Sequence, residues 1–193
     1  SNAELKDVIE AFSVDKLNKD FFVTYKKQFE KFSNYLAADK KIASGIFKIK
    51  EGKTKEEQAK NEKPIRDFTK KLLGRIVFLH FLQKKGWLGC SVFPTKEENE
   101  KIWLDGDKMF MQNLFKNFKQ QQRFHSQCLK ELFFDTLNNS QRKNFVFSVT
   151  KTRVPYLNGG LFDDDMPATQ EIDFPVDYFK DLLEFFEQYN FTI

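Results

Sequence analysis

Apolar residues recur every three or four positions along most of this chain, which is the spacing of an α-helix rather than of a β-strand. The first such run follows Ser13, a residue type that caps helix N-termini. Its apolar positions share one helical face, and they are Leu17, Phe21, Tyr25, Phe29, Phe32 and Leu36. The pattern predicts one long amphipathic helix that packs this face against a core.

A second run, from Pro64 to Gly86, is apolar around most of its circumference, so little of its surface is polar. A helix of this kind is expected at the centre of a fold, and Gly86 is a suitable residue to end it. Two shorter amphipathic segments, residues 107–118 and 127–137, predict further helices.

The last predicted helix begins at Pro175, behind a capping Asp173. Its main apolar face carries Phe179, Leu182, Leu183, Phe186 and Tyr189. Tyr178 and Phe185 lie off that face, and two apolar directions on one helix imply two packing partners. We therefore expect an exposed aromatic patch near Tyr178, Phe185 and Phe191, which a neighbouring domain covers.

Residues 40–63 interrupt the helical pattern, because they are polar and rich in lysine. We interpret them as a mobile connection with one short extended piece at residues 45–50. The predicted fold class is mainly α, a multi-helix bundle with long irregular loops, and it allows one short hairpin. No apolar run reaches the ~18 residues that span a bilayer and no signal-peptide pattern opens the chain, so we expect a cytoplasmic protein without a membrane partner.

The length of 193 residues, 40% of them hydrophobic, suits one large domain or two small ones. The chain opens with Ser1, Asn2 and Ala3, which is typical of the remnant left when an expression tag is removed. We therefore interpret residues 1–3 as a tag remnant and residues 4–193 as a single helical domain that is a fragment of a larger protein.

Charge is distributed unevenly along the chain, although the net charge is only +4. Residues 39–85 hold 14 Lys and Arg against six Asp and Glu, whereas residues 163–187 hold nine acids against Lys180 alone. A second basic stretch, residues 108–153, has nine basic residues and two acids. Such stretches, interleaved with aromatics, are typical of phosphate binding, but lysine-rich helices also serve simply as solvated faces, and both interpretations stay open.

Arginine is scarce, with five in the chain, and arginine is the residue that reads guanine through paired hydrogen bonds. Any nucleic-acid contact is therefore expected to involve mainly the phosphate backbone. The candidate backbone contacts are Lys48, Lys50, Lys53, Lys70, Lys71, Lys84, Lys85, Arg123 and Arg153.

Several apparent chemical motifs fail when their requirements are considered. Residues 52–54, Gly-Lys-Thr, resemble the end of a phosphate-binding loop, but the glycine required at position 47 is Phe47. The acidic run at residues 163–165 lacks the acid-x-Lys element of a divalent-metal nuclease, so a solvated turn is the favoured interpretation. Cys90 and Cys128 are isolated and have no recognisable zinc spacing, which predicts two buried thiols.

Two polar residues lie within the apolar central run. His80 has no carboxylate or serine near it in sequence, so we favour a core histidine over a general base. Arg75 needs a partner if it is buried, because an isolated buried charge is costly, and we expect a structural ion pair, with DNA contact as the less favoured alternative. No catalytic, cofactor-binding or metal-binding residue is assigned anywhere in the chain.

The stretch VPYLNGGLF, residues 154–162, looks at first like a glycine-rich ligand loop. A phosphate-binding loop leads into a helix N-terminus, whereas this one leads into three aspartates, which repel anions. Glycine permits a positive φ angle, so the loop can fold the apolar residues after it back onto the core. We interpret it as a structural turn formed by Pro155, Asn158, Gly159 and Gly160.

Four segments, in this order, carry a resemblance to a known family: DKLNKDFFVTYKKQFEKF at 15–32, LLGRIVFLHFLQKKGWL at 72–88, VPYLNGGLF at 154–162 and FPVDYFKDLLEFFEQYNFTI at 174–193. Together they resemble the helical region that precedes the catalytic domain in type IIG restriction-modification enzymes and related adenine-specific (N6) DNA methyltransferases. The family's Asn-Pro-Pro-Tyr motif is absent, the nearest string being Val154-Pro155-Tyr156, so no catalytic residue is carried over.

The resemblance implies a connector domain that positions methyltransferase and nuclease domains around DNA. It implies S-adenosylmethionine as the cofactor of the parent protein, with Mg²⁺ as well if the parent cleaves DNA, and no cofactor in these residues. The expected partners are DNA, bound weakly and without sequence preference, and the adjoining domains of the same chain. The alternative is a protein–protein interaction scaffold without DNA contact.

Overall fold

The computed structural model describes residues 19–157 and 159–189, and this part of the chain is mainly helical, as predicted. The α-helices are α1 (Lys19–Ala38), α2 (Lys55–Asn61), α3 (Lys63–Lys84), α4 (Lys96–Lys101), α5 (Phe110–Asn117) and α6 (Val176–Glu187). Wider π-helical segments lie at Lys41–Ile46, Phe124–Leu129 and Glu131–Leu137, and 3₁₀ turns lie at Gln121–Arg123, Lys143–Phe145 and Pro167–Glu171. The predicted cap at Ser13 lies outside the described residues.

Helix α3 forms the centre of the core, as the sequence predicts. Every residue from Leu72 to Gln83 except Gly74 is buried, and amphipathic α1 packs along this helix. Gly86 follows the helix with a φ of 76°, a backbone conformation that residues with a side chain rarely adopt. Neither α3 nor any other helix in the described ranges has the length and apolar character needed to cross a membrane.

The shorter predicted elements are also present. Helix α5 occupies most of residues 107–118, and residues 127–137 lie in the two consecutive π-helical segments and in Lys130, the α-helical residue between them. One short antiparallel hairpin follows them, formed by β1 (Val146–Phe147) and β2 (Thr152–Arg153), with Phe147 opposite Thr152.

The prediction of an irregular connection at residues 40–63 is wrong over most of its length, because Lys41–Ile46 and Lys55–Asn61 are helical, and residues 45–50 lie at the end of the first of these segments and in the loop after it. The Asp39 carboxylate accepts hydrogen bonds from the backbone N–H groups of Lys41 (2.9 Å) and Ile42 (3.2 Å), which restarts a helix directly after α1. The Thr54 hydroxyl caps α2 by accepting from the N–H of Glu57 at 3.1 Å. Local capping therefore outweighs the polar composition.

The predicted cap of the last helix is also wrong. Helix α6 begins at Val176, directly after Pro175, and no side chain caps its first turn. Asp173 lies two residues before the cap position, Pro175, and its carboxylate accepts two hydrogen bonds from Ser126 instead. The donors are the Ser126 backbone N–H (2.9 Å) and its hydroxyl (2.7 Å). Asp173 therefore ties the entry of α6 to the π-helical segment at Phe124–Leu129.

Helix α6 has two helical partners, α1 and α5, and both belong to this domain. The Phe185 ring is buried and stacks on Phe21 with 5.2 Å between the ring centroids. Tyr178 packs edge-on against Phe32 at 5.4 Å. The expected exposed patch at Tyr178 and Phe185 is therefore wrong, because α1 covers it, and Phe191 lies outside the described residues.

The loop at residues 154–162 returns its apolar side chains to the core, as predicted: Leu157 and Phe162 are buried. Gly160 has a φ of 82°, which is the positive angle that the predicted turn requires. The other turn residues are Pro155, which is half-buried, Gly159, which is exposed, and Asn158, which lies outside the described residues.

Replacing Gly160 by valine is expected to lower the free energy of unfolding by about 1–3 kcal/mol, because a β-branched residue is strained at this positive φ. Urea denaturation measures the change. Gly74→Ala is the control: Gly74 lies inside α3, an added methyl group would meet nothing within 4 Å, and the change removes a flexible residue from a helix. We expect the control to stabilise the fold by about 0.5–1 kcal/mol. An unchanged midpoint for Gly160→Val would show that the turn tolerates a side chain.

A candidate nucleic-acid interface

An ordered loop between the first π-helical segment and α2 presents three of the candidate lysines. The backbone N–H of Gly52 donates to the side-chain oxygen of Gln58 at 2.6 Å, and the side-chain amide of Asn61 donates to the Lys50 carbonyl at 3.0 Å. Glycine is needed for this approach, because a Cβ at Gly52 would lie 2.4 Å from the backbone nitrogen of Gln58. The loop is therefore held against α2 despite its polar composition.

Lys48, Lys50 and Lys53, which we call the loop lysines, are exposed on this loop. Within the described ranges, none of the three forms an ion pair. Lys70 is also exposed, in the first half of α3. All four lysines face solvent, where a phosphate backbone could reach them, and their contact with DNA stays a prediction.

Two further candidates lie at the other end of α3. Lys84 is its last residue and Lys85 follows, with the Lys85 ammonium 5.1 Å from the centroid of the Trp87 ring. The helix has 22 residues, which corresponds to a length of about 33 Å. The structure therefore divides the candidate contacts between two ends of the central helix.

Ion pairs within the domain neutralise part of the uneven distribution of charge seen in the sequence. Lys71 forms an ion pair with Asp165, and Lys31 forms one with Asp181 at 3.3 Å. The acidic segment at residues 163–187 thus lies against the basic helices of its own domain. Arg123 is exposed, and its Nε lies 3.8 Å from the Asp173 carboxylate, which is a loose ion pair.

The prediction that Arg153 contacts DNA is wrong, because its side chain is completely buried and cannot reach DNA. Its guanidinium donates three hydrogen bonds to backbone carbonyls, at Ser91 (2.5 Å), Asn99 (2.8 Å) and Ile102 (2.6 Å). The rings of Phe93 and Trp103 flank it, with centroids 5.0 and 4.5 Å from the guanidinium carbon. Arg153 therefore clamps the segment 91–103 to the hairpin.

Sequence reasoning missed this clamp. The available signal was a pair of aromatic residues, Phe93 and Trp103, on either side of the polar run at residues 95–101. Asn99 completes the arrangement, since its side-chain oxygen accepts from the N–H of Phe93 (2.8 Å) and its amide donates to the carbonyl of Phe93 (2.9 Å). The segment is therefore folded around buried polar groups rather than around an apolar core.

Arg75 is a second buried arginine, and its hydrogen bonds go to backbone carbonyls rather than to a carboxylate. Nε donates to Leu161 and Nη2 to Asp163, both at 2.8 Å. Burial lowers the pKa of Arg75 to about 10, while the aspartates at 163–165 act in the opposite direction. The expected ion pair is therefore replaced by carbonyl contacts that fasten the turn at Gly160 to α3.

The two histidines are core residues with backbone partners. His80 Nδ1 donates to the Ile76 carbonyl at 2.9 Å, and its Nε2 lies 3.1 Å from the side-chain amide of Gln112. His125 Nδ1 donates to the Ile172 carbonyl at 2.7 Å. The prediction of a core histidine at position 80 is confirmed.

Both cysteines are buried free thiols, as predicted. Burial raises the pKa of each thiol, that of Cys90 to about 11. The reactive thiolate is therefore disfavoured at neutral pH at both positions.

The buried histidines predict that stability falls in mild acid. Burial lowers the pKa of His80 and of His125 to about 4, because the core disfavours the charged imidazolium. In the unfolded chain the same groups titrate near pH 6.5, so the unfolded state binds more protons between about pH 6.5 and pH 4. The free energy of unfolding is therefore expected to decrease as the pH falls through this window.

Urea denaturation at several pH values across that window tests this dependence. His125→Asn is the informative variant, because asparagine keeps a donor but does not titrate. Its stability should be lower at neutral pH and should change less steeply with pH than that of the unmodified protein. Equal slopes in both proteins would contradict an effect of His125.

Comparisons with protein-family models, with curated proteins and with solved structures find no match to this chain. Among the residues that the structure describes, no group of three or more His, Cys, Asp or Glu is placed to hold a metal ion. The interpretation of the surface therefore depends on the residues of this chain and their geometry.

Proposed function

We propose that this chain is the helical connector domain of a bacterial-type restriction-modification protein that acts in the cytoplasm. The parent protein in this proposal is an adenine-specific DNA methyltransferase, with or without a nuclease activity. S-adenosylmethionine, and Mg²⁺ where DNA is cleaved, bind in the adjoining domains. The connector spaces those domains and contacts the DNA backbone through the loop lysines.

The observation that carries the DNA contact is the ordered loop that holds Lys48, Lys50 and Lys53 in solvent. A cationic loop that is already ordered loses little conformational entropy when it meets a phosphate backbone. Each phosphate that it neutralises releases condensed counterions, which favours binding without any sequence preference. Lys70, exposed on α3, adds a further cation.

The interior of the domain supports a positional role. Arg75, Arg153 and His125 each donate hydrogen bonds to backbone carbonyls of segments distant in the chain. These contacts join α3, the hairpin and the segment before α6 to their neighbours. A domain held together by such hydrogen bonds is suited to keep the adjoining domains of the parent protein at a fixed distance.

A protein–protein interaction scaffold without DNA contact is the second candidate, and the internal charge pairing favours it. Lys71 and Lys31 are partly neutralised by Asp165 and Asp181. Arg153 is buried, so fewer cations face solvent than the sequence suggests.

Titration of duplex DNA at several salt concentrations distinguishes the two candidates. For a connector that contacts DNA we expect a Kd of about 10⁻⁴–10⁻⁶ M at physiological salt, equal for random and fixed sequences. Changing Lys48, Lys50 and Lys53 together to glutamine should reduce the slope of log K against log salt by about 2–3.

The matched control changes Lys96 and Lys101 to glutamine, since both are paired with glutamates on α4. This control should leave the slope unchanged. Affinity that does not depend on salt, or that the loop variant does not alter, would favour the scaffold.

A further inference from the structure

A cleft with a volume of about 610 Å³ lies between α5, the turn that follows it and the turn of the hairpin. Sites for small ligands usually have ~300–1,000 Å³ and combine apolar walls with a few polar groups. Most of the lining belongs to the second basic stretch of the sequence, residues 108–153. We call it the amide cleft, because four carboxamide side chains line it, those of Asn113, Asn117, Gln120 and Gln127.

The apolar part of the lining is held in place by the core. Phe110 and Leu114 come from α5, and both are buried. Phe118 directly follows that helix and is half-buried, and its ring packs edge-on against Phe124 with 6.0 Å between the centroids. A fixed aromatic residue in the wall of a cleft is a platform on which a nucleobase can stack.

The amide groups in the cleft are available to a ligand. The side-chain amide of Asn113 donates to the Asp107 carboxylate at 2.8 Å, which fixes its orientation. Within the described ranges, the side chains of Asn117, Gln120 and Gln127 form no hydrogen bond with the protein. Each carboxamide offers both a donor and an acceptor, and the edges of nucleobases present the same combination.

The charge around the amide cleft is positive. Residues 107–120 and 149–152 carry four lysines against one acid, Asp107. Lys119 lines the cleft, and Lys151 stands between two threonines that also line it. Neither lysine forms an ion pair in the part of the chain that the structure describes. Both are exposed, so they can face an anionic group of a ligand.

A ligand that satisfies this lining needs a flat aromatic group, hydrogen-bonding edges and a negative charge. A nucleotide has all three, because its base can stack and pair with amides while its phosphate meets the lysines. We propose that the amide cleft binds a nucleotide, either free or unpaired within a nucleic-acid strand. A base inside a duplex cannot enter, since it is paired and stacked. The inference is independent of the proposed duplex contact, because none of the loop lysines lines this cleft.

Titration of deoxyadenosine monophosphate, followed by NMR, tests the cleft, because amide side chains suit the edge of adenine. Concentrations up to about 10 mM cover millimolar affinity. We expect the backbone amide signals of residues 113–120 and 149–152 to shift. An unpaired oligonucleotide of about ten nucleotides is the second probe, and tighter binding at the same signals assigns an unpaired strand rather than a free nucleotide. Equal shifts with inorganic phosphate, or no shifts with either probe, overturn the proposal.

Gln120→Glu is the informative variant, since it keeps the size of the side chain and places a negative charge in the cleft at an exposed position. Repulsion of the phosphate should weaken binding about fivefold or more. Gln141→Glu is the matched control, because it makes the same change at an exposed position outside the cleft, and it should bind like the unmodified protein. Equal affinities of the two variants would refute the site.

Two further variants separate the cleft from the loop lysines. Phe118→Leu keeps an apolar side chain but removes the ring, and it should weaken nucleotide binding about fivefold or more. Changing Lys48, Lys50 and Lys53 together to glutamine should leave binding of deoxyadenosine monophosphate unchanged. Nucleotide binding that this triple variant abolishes belongs to the loop lysines and overturns the cleft, whereas a cleft that binds in the absence of any duplex contact contradicts only the proposed function.

Discussion

Replacing Arg153 by methionine should lower the free energy of unfolding by about 3–5 kcal/mol, which is a large part of the stability of a typical domain. The change leaves the carbonyls of Ser91, Asn99 and Ile102 without their shared donor in a buried site. It also removes the cation between the two aromatic rings. The midpoint of urea denaturation measures the effect.

The sequence assigned Arg153 and Arg123 to the same surface, so Arg123→Met is the matched control. Arg123 is exposed and its Nε lies 3.8 Å from the Asp173 carboxylate, so we expect a change within about 0.5 kcal/mol. If Arg153→Met weakened DNA binding without changing the denaturation midpoint, the structural role of Arg153 would be wrong. Arg153 would then be a DNA contact, as the sequence suggested.

Replacing Phe32 by alanine is expected to cost about 3–5 kcal/mol, since the side chain is completely buried where α1 meets α6. Its ring centroid lies 4.8 Å from that of Phe174 and 5.5 Å from that of Phe179. The alanine leaves a cavity that these rings cannot fill without losing contacts elsewhere.

Phe22→Ala is the control on the same helix, because the Phe22 side chain is 48% exposed. It should change the free energy of unfolding by less than about 1 kcal/mol. The ratio of the two effects tests whether α1 belongs to the core or only lies on its surface. Similar small values for both variants would show that α1 docks loosely on α6.

Both predictions concern contacts that make the domain rigid, which the proposed spacer role requires. Arg153 fixes the segment 91–103 to the hairpin, and Phe32 fixes α1 to α6. A variant at either position that folds only partly should therefore also lose the proposed salt-dependent DNA binding. Variants of exposed residues separate this loss from simple unfolding.

The sequence by itself determined the elements whose signals are local. The three- to four-residue period predicted α1, α3 and α6, because an amphipathic face is recorded directly in the order of residues. Gly86 and Gly160 were recognisable as positions for positive φ, since a glycine at the end of a helical or apolar run has few other uses. The exposure of the loop lysines also followed from a polar environment in the sequence.

Some local signals were present but led to the wrong interpretation. Asp39 and Thr54 are helix-capping residue types, yet the lysine-rich composition of residues 40–63 suggested an irregular connection. Asp173 stood before a proline and suggested a cap, but Ser126, 47 positions earlier, offered two donors that the start of α6 did not. Capping is decided by which donors are within reach, and only part of that set is local.

Only the tertiary structure decided the roles of the buried charges and of the second face of α6. The carbonyls that hold Arg153 are 51–62 positions away in the chain, and those that hold Arg75 are 86 and 88 positions away. The Phe185 ring is covered by α1, from the other end of the chain. An arginine or an aromatic ring has the same appearance in a sequence whether it is solvated or buried, because its burial depends on acceptors and apolar surfaces that distant segments bring together when the chain folds.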